Sequence, residues 1–373
     1  MSVNRKPAKT LAFDLVVVGG GLAGVCAAIS AARNGVRTAI IQDRPVFGGN
    51  SSSEIRVVPY GSAQSHAWAA ETGIVNELLL DDRASNHQDL FTHGMTNSLY
   101  DMNLFEAVRR EPNLTHFLNT SVRAVDAFEE APGQRRIRAV HGSQLASEEE
   151  FIFTAEQFID ATGDGTVGYL AGADWRQGRE SRHEFGENLA PIHADEVTMG
   201  ATITMRAQKI DRPVTYSPPH WIEQYRSPED IGVERKLLYV NQDVFGGYWW
   251  LEVGYPYDQI TQTQEIKEEL HRHVLGIWNY IKNHSPDRAG AANHVLDWIG
   301  QVPGKRESRR LVGDVILSEH DTHTDRNWPD GIAYAGWWID RHIKGGILNR
   351  SEPAEREDLD DNYKHWIRVS PFS

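Results

Sequence analysis

Residues Asp14 to Gly24, DLVVVGGGLAG, carry four consecutive apolar residues straight into glycines at G-x-G-x-x-G spacing. No other stretch restricts the fold as much. Leu15 to Val18 reads as an apolar, buried strand. About Ala23 to Asn34 reads as a helix ended by Gly35, and Thr38 to Ile41 as a second strand. In that strand-turn-helix-strand setting each glycine has a task. Gly19 permits the tight turn out of the strand, Gly21 lets the backbone approach a pyrophosphate, and Gly24 lets helix and strand pack closely. Leu22 and Ala23 lie at the turn into the helix and are read as cofactor-binding, and the helix points its amides and positive dipole end at the phosphates. The class this implies is α/β, a Rossmann-like dinucleotide-binding domain around a parallel sheet.

At 373 residues the chain exceeds one ordinary domain, and 40% hydrophobic residues are enough for a sizeable core. A net charge of −14 argues against nucleic acid as a partner, since phosphate backbones are bound through clustered Lys and Arg. The single cysteine, Cys26, rules out an intramolecular disulfide and the four thiolates of a protein-held iron–sulfur cluster. It is expected to pack as a small apolar residue. Arg5, Lys6 and Lys9 precede an apolar run that is the first strand, broken by glycines, so neither a cleavable signal nor a membrane span is read. A cytoplasmic location is the expectation.

After the second strand comes QDRPVFGGNSSSEIR, a Gly- and Ser-rich loop placed to face a cofactor. Helices are expected at Glu71 to Arg83 and at Asp101 to Arg110, where Met102, Phe105 and Val108 share a face. Beyond Pro112, short strands are expected at Leu114 to Val122, Ala124 to Phe128, Arg136 to His141, Glu150 to Phe153 and Gln157 to Asp160, a β-meander that returns in FIDATGDG. An inserted α+β substrate domain follows. It has strands at Ala201 to Arg206 and Tyr248 to Val253 and a long helix from Thr263 to Asn283. That helix buries Ile266, Leu270, Val274, Ile277 and Ile281, and pairs Glu268 with Arg272. Trp249, Trp250 and Trp278 either line a sugar-binding surface or pack a core. The expected division is 1–173 for the cofactor domain, 174–293 for the substrate domain and 294–373 for a return to the cofactor domain.

The residue at the end of the second strand commonly hydrogen-bonds the adenosine ribose through a carboxylate. Here Gln42 and Asp43 compete for that place, with Arg44 next in the loop. Gln42 aligns on the following Gly48-Gly49, and its amide can both donate and accept.

Four motifs in this order, GGGLAG, QDRPVFGGNSSSEIR, FIDATGDGTVGYLAGADWRQGRES and PGKRESRRLVGD, resemble the FAD-dependent oxidoreductases of the glutathione-reductase-like superfamily, near the heterodisulfide reductase A-like flavoproteins. The resemblance implies FAD as cofactor. It places Gly19, Gly21 and Gly24 around the pyrophosphate, and Gly48, Gly49, Asn50 and Ser51 along the middle of the cofactor. Val122 would touch the adenine, and Ala161, Thr162, Gly163 and Asp164 would form the returning turn. Members of that family continue with a further strand and helix, so the chain is expected to be truncated.

A flavin performs the redox step, leaving the protein to orient, to move a proton and to place charge. Arg306, Glu307 and Arg309 in the returning motif are the candidates for charge, and His66 or His183 for the base. His320, Asp321, His323 and Asp325 have metal-ligand chemistry without pre-set geometry, and no metal is expected. No G-x-S-x-G turn or P-loop is present. The expected activity is hydride transfer between a small polar substrate, carbohydrate-like in one version, and the flavin, with an electron acceptor and oligomeric state the sequence does not name. The alternatives are an NAD(P)-dependent dehydrogenase and a non-catalytic flavoprotein remnant.

Overall fold

The computed structural model describes residues 7–59, 73–88, 95–145, 147–235, 237, 244–324, 326–335, 339, 341–353 and 367–369. The chain opens with β1 (Lys9–Ala12), β2 (Leu15–Val18), α1 (Leu22–Arg33) and β3 (Thr38–Ile41). It continues through α2 (Gly73–Ser85), α3 (Ser98–Arg109), β4 (Leu114–Phe117), β5 (Thr120–Ala131), β6 (Gln134–Gln144), β7 (Glu149–Thr154) and β8 (Gln157–Asp160). Four strands form a wholly parallel sheet in the order β4-β3-β2-β8, with Val18 opposite both Ile41 and Asp160. β5, β6 and β7 make an antiparallel meander, and β1 joins it parallel to β7.

Alternation along β2 explains why this strand is apolar throughout. Leu15 and Val17 face α1 and α3, packing with Ile29, Leu104 and Val108. Val16 and Val18 face the meander, packing with Val140 and Phe153. Each side chain removed from water in this way contributes roughly 1.5–3 kcal/mol, so the sheet is held from both faces. Cys26 packs in the helix-side core, and burial pushes its thiol up to about 11.

The next part comprises α4 (Thr166–Ala171), β9 (Trp175–Arg176), α5 (Arg182–Phe185), β10 (Ala201–Thr202), β11 (Met205–Lys209), α6 (Pro228–Ile231), β12 (Val244–Phe245), β13 (Glu252–Val253), α7 (Thr263–Asn279), β14 (His294–Ile299), β15 (Arg310–Leu311) and α8 (Glu319–His323). α7 runs on into one π turn, Tyr280–His284. Its apolar stripe from Ile266 to Ile281 is buried against Met205, Tyr225, Leu251 and Phe245 in a second core.

Several expectations shift. α3 starts at Ser98, with the Asn97 side chain accepting from the Leu99 and Tyr100 amides. Its buried face is therefore Tyr100, Leu104, Ala107 and Val108, whereas Met102 is 58% exposed. The expected strand at Leu114 to Val122 is split by a turn at Asn119, which has φ 53°. Of Tyr248 to Val253 only the last two residues pair, and Ala201 to Arg206 divides between two sheets. Arg272 bonds Glu269 and Glu223, while Glu268 takes Gln264 instead. Trp250 and Trp278 belong to the core, leaving Trp249 as the exposed one of the three. β14 pairs with β11, with Lys209 opposite His294 and Met205 opposite Ile299. Among the described residues no helix is long and apolar enough to cross a membrane.

Candidate functional site

A cleft of about 790 Å³ lies at the carboxyl ends of β2, β3 and β8, where open parallel sheets bind ligands. Its floor is the glycine turn. Gly19 has φ +108°, and a Cβ there would stand 2.1 Å from the Ala161 carbonyl oxygen. A Cβ on Gly24 would stand 1.8 Å from the Gly19 carbonyl oxygen, so strand and helix touch backbone to backbone. Gly21 differs, because a Cβ on it would meet nothing within 4 Å. It is the N-cap of α1, and no side chain caps that end. The first-turn amides at Leu22 and Ala23 therefore open onto the cleft, which Leu22 and Ala23 line.

The second loop lies against the first. Gly48 donates its amide to the Gly20 carbonyl at 2.8 Å, and the Cβ position of Gly49 comes within 3.1 Å of the Gly21 Cα. Both glycines have positive φ, 111° and 57°, so the loop turns where only glycine is relaxed. Ser51 donates its hydroxyl back to Gly48 and Asn50 donates to the Lys305 carbonyl, each at 2.8 Å.

Gln42 is 4% exposed. Its Oε1 accepts from the Gly20 amide at 2.8 Å, and its Nε2 donates to the Val46 carbonyl at 3.2 Å. The side chain braces the glycine turn through these bonds, and Gln42 also lines the cleft. Asp43, 65% exposed with Arg44 beside it at 3.9 Å, is the carboxylate left at that edge of the cleft. Thr120, Ser121 and Val122 of β5 line the same end.

Ala161, Thr162, Gly163 and Asp164 close the far wall. The Asp160 carboxylate holds this turn by accepting from Thr162 and, at 3.0 Å, from the Gly168 amide. Asp164 accepts from Lys305 Nζ at 2.5 Å and from the Ser308 hydroxyl at 2.6 Å. Lys305 and Ser308 are site residues that the sequence reading passed over in favour of the arginines between and after them. The residues lay inside the quoted motif PGKRES, but the motif alone does not tell which side chains point inward.

The candidates for catalysis separate. Arg306 lines the cleft and donates to Glu252, to Thr202 Oγ1 and to the Gly200 and Trp249 carbonyls. Glu307 accepts from the Met199 amide at 2.9 Å and pairs with Arg310. Arg309 does not line the cleft. Its guanidinium lies 3.7 Å from the centre of the Tyr169 ring and donates to the Asp164 carbonyl, so it is spent on stacking. His183 sits exposed on α5, away from the cleft, and His66 lies outside the described residues. His320 and His323 are on the helical turn α8 rather than in a loop. They take the Phe185 carbonyl and Glu319, while Asp321 caps that turn and holds Arg326. Asp325 lies outside the described residues, and among those described no cluster of three metal-ligating side chains forms.

A second cavity of about 660 Å³ adjoins the cleft, with Glu307 lining both. Its walls mix Val197, Met199 and Leu317 with Arg310, Glu180 and His342.

The family model described as FAD dependent oxidoreductase matches residues 14–368. The chain belongs to the FAD-dependent oxidoreductases. No curated protein sequence matches it. Among solved structures this FAD-dependent oxidoreductase is similar to a geranylgeranyl bacteriochlorophyll reductase-like protein of Thermoplasma acidophilum, at 16% identity and TM-score 0.42, over 82% of this chain and 67% of that one. It is similar to p-nitrophenol 4-monooxygenase of Pseudomonas putida at 14% identity and TM-score 0.39, over 82% and 70%. It is also similar to L-proline dehydrogenase of P. horikoshii at 17% identity and TM-score 0.26, the match spanning 42% of this chain and only 24% of that one. The activities in those names are those proteins' own.

The cleft fits the family's cofactor. At Gly21 and Gly163, both lining it, an added Cβ meets open space, the room that a pyrophosphate approaching the backbone needs. Uncapped amides at the start of α1 supply donors for its oxygens.

Proposed function

We propose that this FAD-dependent oxidoreductase oxidises a small polar organic substrate held in the second cavity. The observation that carries the reading is the shared wall at Glu307, which sets a mixed polar and apolar chamber directly beside the cofactor cleft. FAD, when bound, supplies the acceptor for the substrate's hydride. Gly19, Gly21, Leu22, Ala23 and Gly24 would take its pyrophosphate, and Asp43 its ribose. Gly48 to Ser51 would follow the middle of the cofactor, Val122 would meet the adenine, and Ala161 to Asp164 would close over it. Lys305 and Ser308 hold Asp164 in that turn. Arg306, anchored on Glu252, sets a guanidinium on the cleft wall that would stabilise negative charge on a reduced cofactor held there.

Carbohydrate-like substrates are the class we favour. Trp249 is 44% exposed beside the Arg306 anchor, an apolar face of the kind on which a sugar ring stacks. The order of four motifs supports a relationship to the heterodisulfide reductase A-like flavoproteins. We assign residues up to 173 and those after Ile299 that return to the cleft to the cofactor module, and the stretch between to the substrate module.

The test is anaerobic. Protein loaded with FAD is mixed with glycerol, D-glucose, myo-inositol or L-lactate, and bleaching of the flavin absorbance is followed. Bleaching by at least one supports the reading. Stable FAD binding with no bleaching by any of them removes the polar-alcohol assignment, and failure to bind FAD removes the cleft assignment.

A further inference from the structure

Glu252 is a buried carboxylate held against a guanidinium that lines the cofactor cleft. Its side chain is 2% exposed, and its Oε2 accepts from Arg306 Nη1 at 2.7 Å. The same nitrogen donates to Thr202 Oγ1 at 2.7 Å and to the Gly200 carbonyl at 2.9 Å, while Nη2 donates to the Trp249 carbonyl at 2.9 Å. These acceptors lie in or just before β10 and β13, which pair with Thr202 opposite Glu252. One strand pair therefore clamps the guanidinium. The carboxylate is fixed as well, since Nδ1 of His342 lies 2.9 Å from Oε1 and 3.0 Å from Oε2, and the Glu252 carbonyl accepts from the Ile347 amide at 2.8 Å. Arg306 lines the cofactor cleft, whereas Glu252 lines neither cavity.

Strength alone does not call for charges at this place. Gly200, Thr202 and Trp249 already tie Arg306 down, and replacing a buried ion pair by apolar residues is often neutral for stability. What a fixed ion pair adds is a field. Charges held away from bulk water are screened less than exposed ones, and each acts according to its distance. Two electrons and one proton taken up by FAD add one negative charge to it, which Arg306 attracts and Glu252 repels. The guanidinium stands at the cleft and the carboxylate behind it, so the attraction is the larger of the two.

We propose that Glu252 is a positioning residue of the cofactor site. It locks Arg306 in place and offsets part of its charge, so that the pair sets how strongly the protein favours reduced over oxidised FAD. This rests on the functional reading above for the presence of FAD in the cleft, and on no particular substrate.

Two measurements test it. FAD-loaded protein is reduced stepwise with dithionite against a dye of known potential, at one fixed pH and without substrate. Glu252→Gln keeps an oxygen for Arg306 and removes the charge, so its preference for reduced FAD should rise about tenfold, about 30 mV for a two-electron couple. The double variant Arg306→Met/Glu252→Gln leaves no buried ion unpaired and should favour reduced FAD several-fold less than wild type. An unchanged or lowered potential in Glu252→Gln overturns the proposal. If that variant does not fold, the double variant decides, and a potential at or above wild type overturns the proposal. In protein free of FAD, ¹⁵N-arginine spectra should give separate Nη1 and Nη2 signals for Arg306, identified by their loss in the double variant, because a guanidinium held on several acceptors does not rotate. A single averaged signal overturns the positioning role. Failure of the wild type to bind FAD removes the cleft assignment and this proposal together. If FAD binds and no alcohol bleaches it, the substrate reading alone fails, and the potentials still decide the role of Glu252.

Discussion

Lys305 places its ammonium 2.5 Å from the Asp164 carboxylate, across 141 residues of sequence. This contact joins the late PGKRES segment to the turn after β8. Both side chains are about a quarter exposed, at 27% and 23%, so the pair is only partly screened by water. Removing the cation would leave Asp164 as an uncompensated charge in a cleft that must accept a pyrophosphate. Lys305→Met should raise the FAD dissociation constant about tenfold, roughly 1.4 kcal/mol. Adding Asp164→Asn should recover most of the loss, since the repelling charge goes too. Fluorescence titration with FAD across the four-protein cycle reads this, and additive losses would contradict it.

Gly21 and Gly24 lie in one motif, yet their substitutions should fail differently. Gly21 has φ −65° and ψ 175°, a backbone any residue adopts, and its Cβ direction is open. Gly21→Val should keep the wild-type melting temperature within a few degrees and weaken FAD binding at least about 100-fold. Gly24→Ala drives a methyl into the Gly19 carbonyl and should cost about 3 kcal/mol or more in folding. Equal thermal loss in both variants would contradict the division.

Gln42 and Asp43 are adjacent but face opposite ways. Gln42→Ala leaves the buried Gly20 amide without its acceptor and should cost about 1–3 kcal/mol of stability. Asp43→Ala, on an exposed side chain, should change stability by less than about 0.5 kcal/mol while weakening FAD binding about tenfold. Thermal melts and FAD titration of the two single variants separate them. A larger stability loss for Asp43→Ala would reverse the assignment.

These two residues also show what the sequence conveyed and what it withheld. The strand, turn and helix around Gly19 to Gly24 were legible because backbone geometry selects glycine directly, and the buried stripe of α7 because its periodicity repeats over several turns. Side-chain direction at the end of β3 was not, since Gln42 suits a ribose or a backbone amide equally well. The same limit applied to Arg306 and Arg309. Alternating charges do not say which guanidinium faces the cleft, and the stacking of Arg309 depends on Tyr169, far away in the chain. Glu252 carried no local signal because its partner, Arg306, is 54 residues distant.

His273 should govern part of the acid sensitivity of the second core. It is 2% exposed, and its Nδ1 lies 2.6 Å from the Tyr225 hydroxyl. Burial, opposed by Glu223 and reinforced by Arg350, Arg272 and Arg235, pushes its pKa from 6.5 down to about 4. The Glu269 carboxylate at 3.7 Å is beyond hydrogen-bond reach of Nε2 and does not reverse this. Between those values the unfolded chain binds a proton that the folded protein refuses, so stability is present above pH 6.5 and falls as pH drops toward 4. The loss from this group is on the order of 3 kcal/mol over the window. His273→Gln should be less stable than wild type at pH 7 by about 1 kcal/mol, yet lose less on acidification. Urea unfolding at intervals from pH 7 to 4 should therefore give curves that converge or cross, and parallel curves would show that His273 protonates as readily in the folded protein as in the unfolded chain.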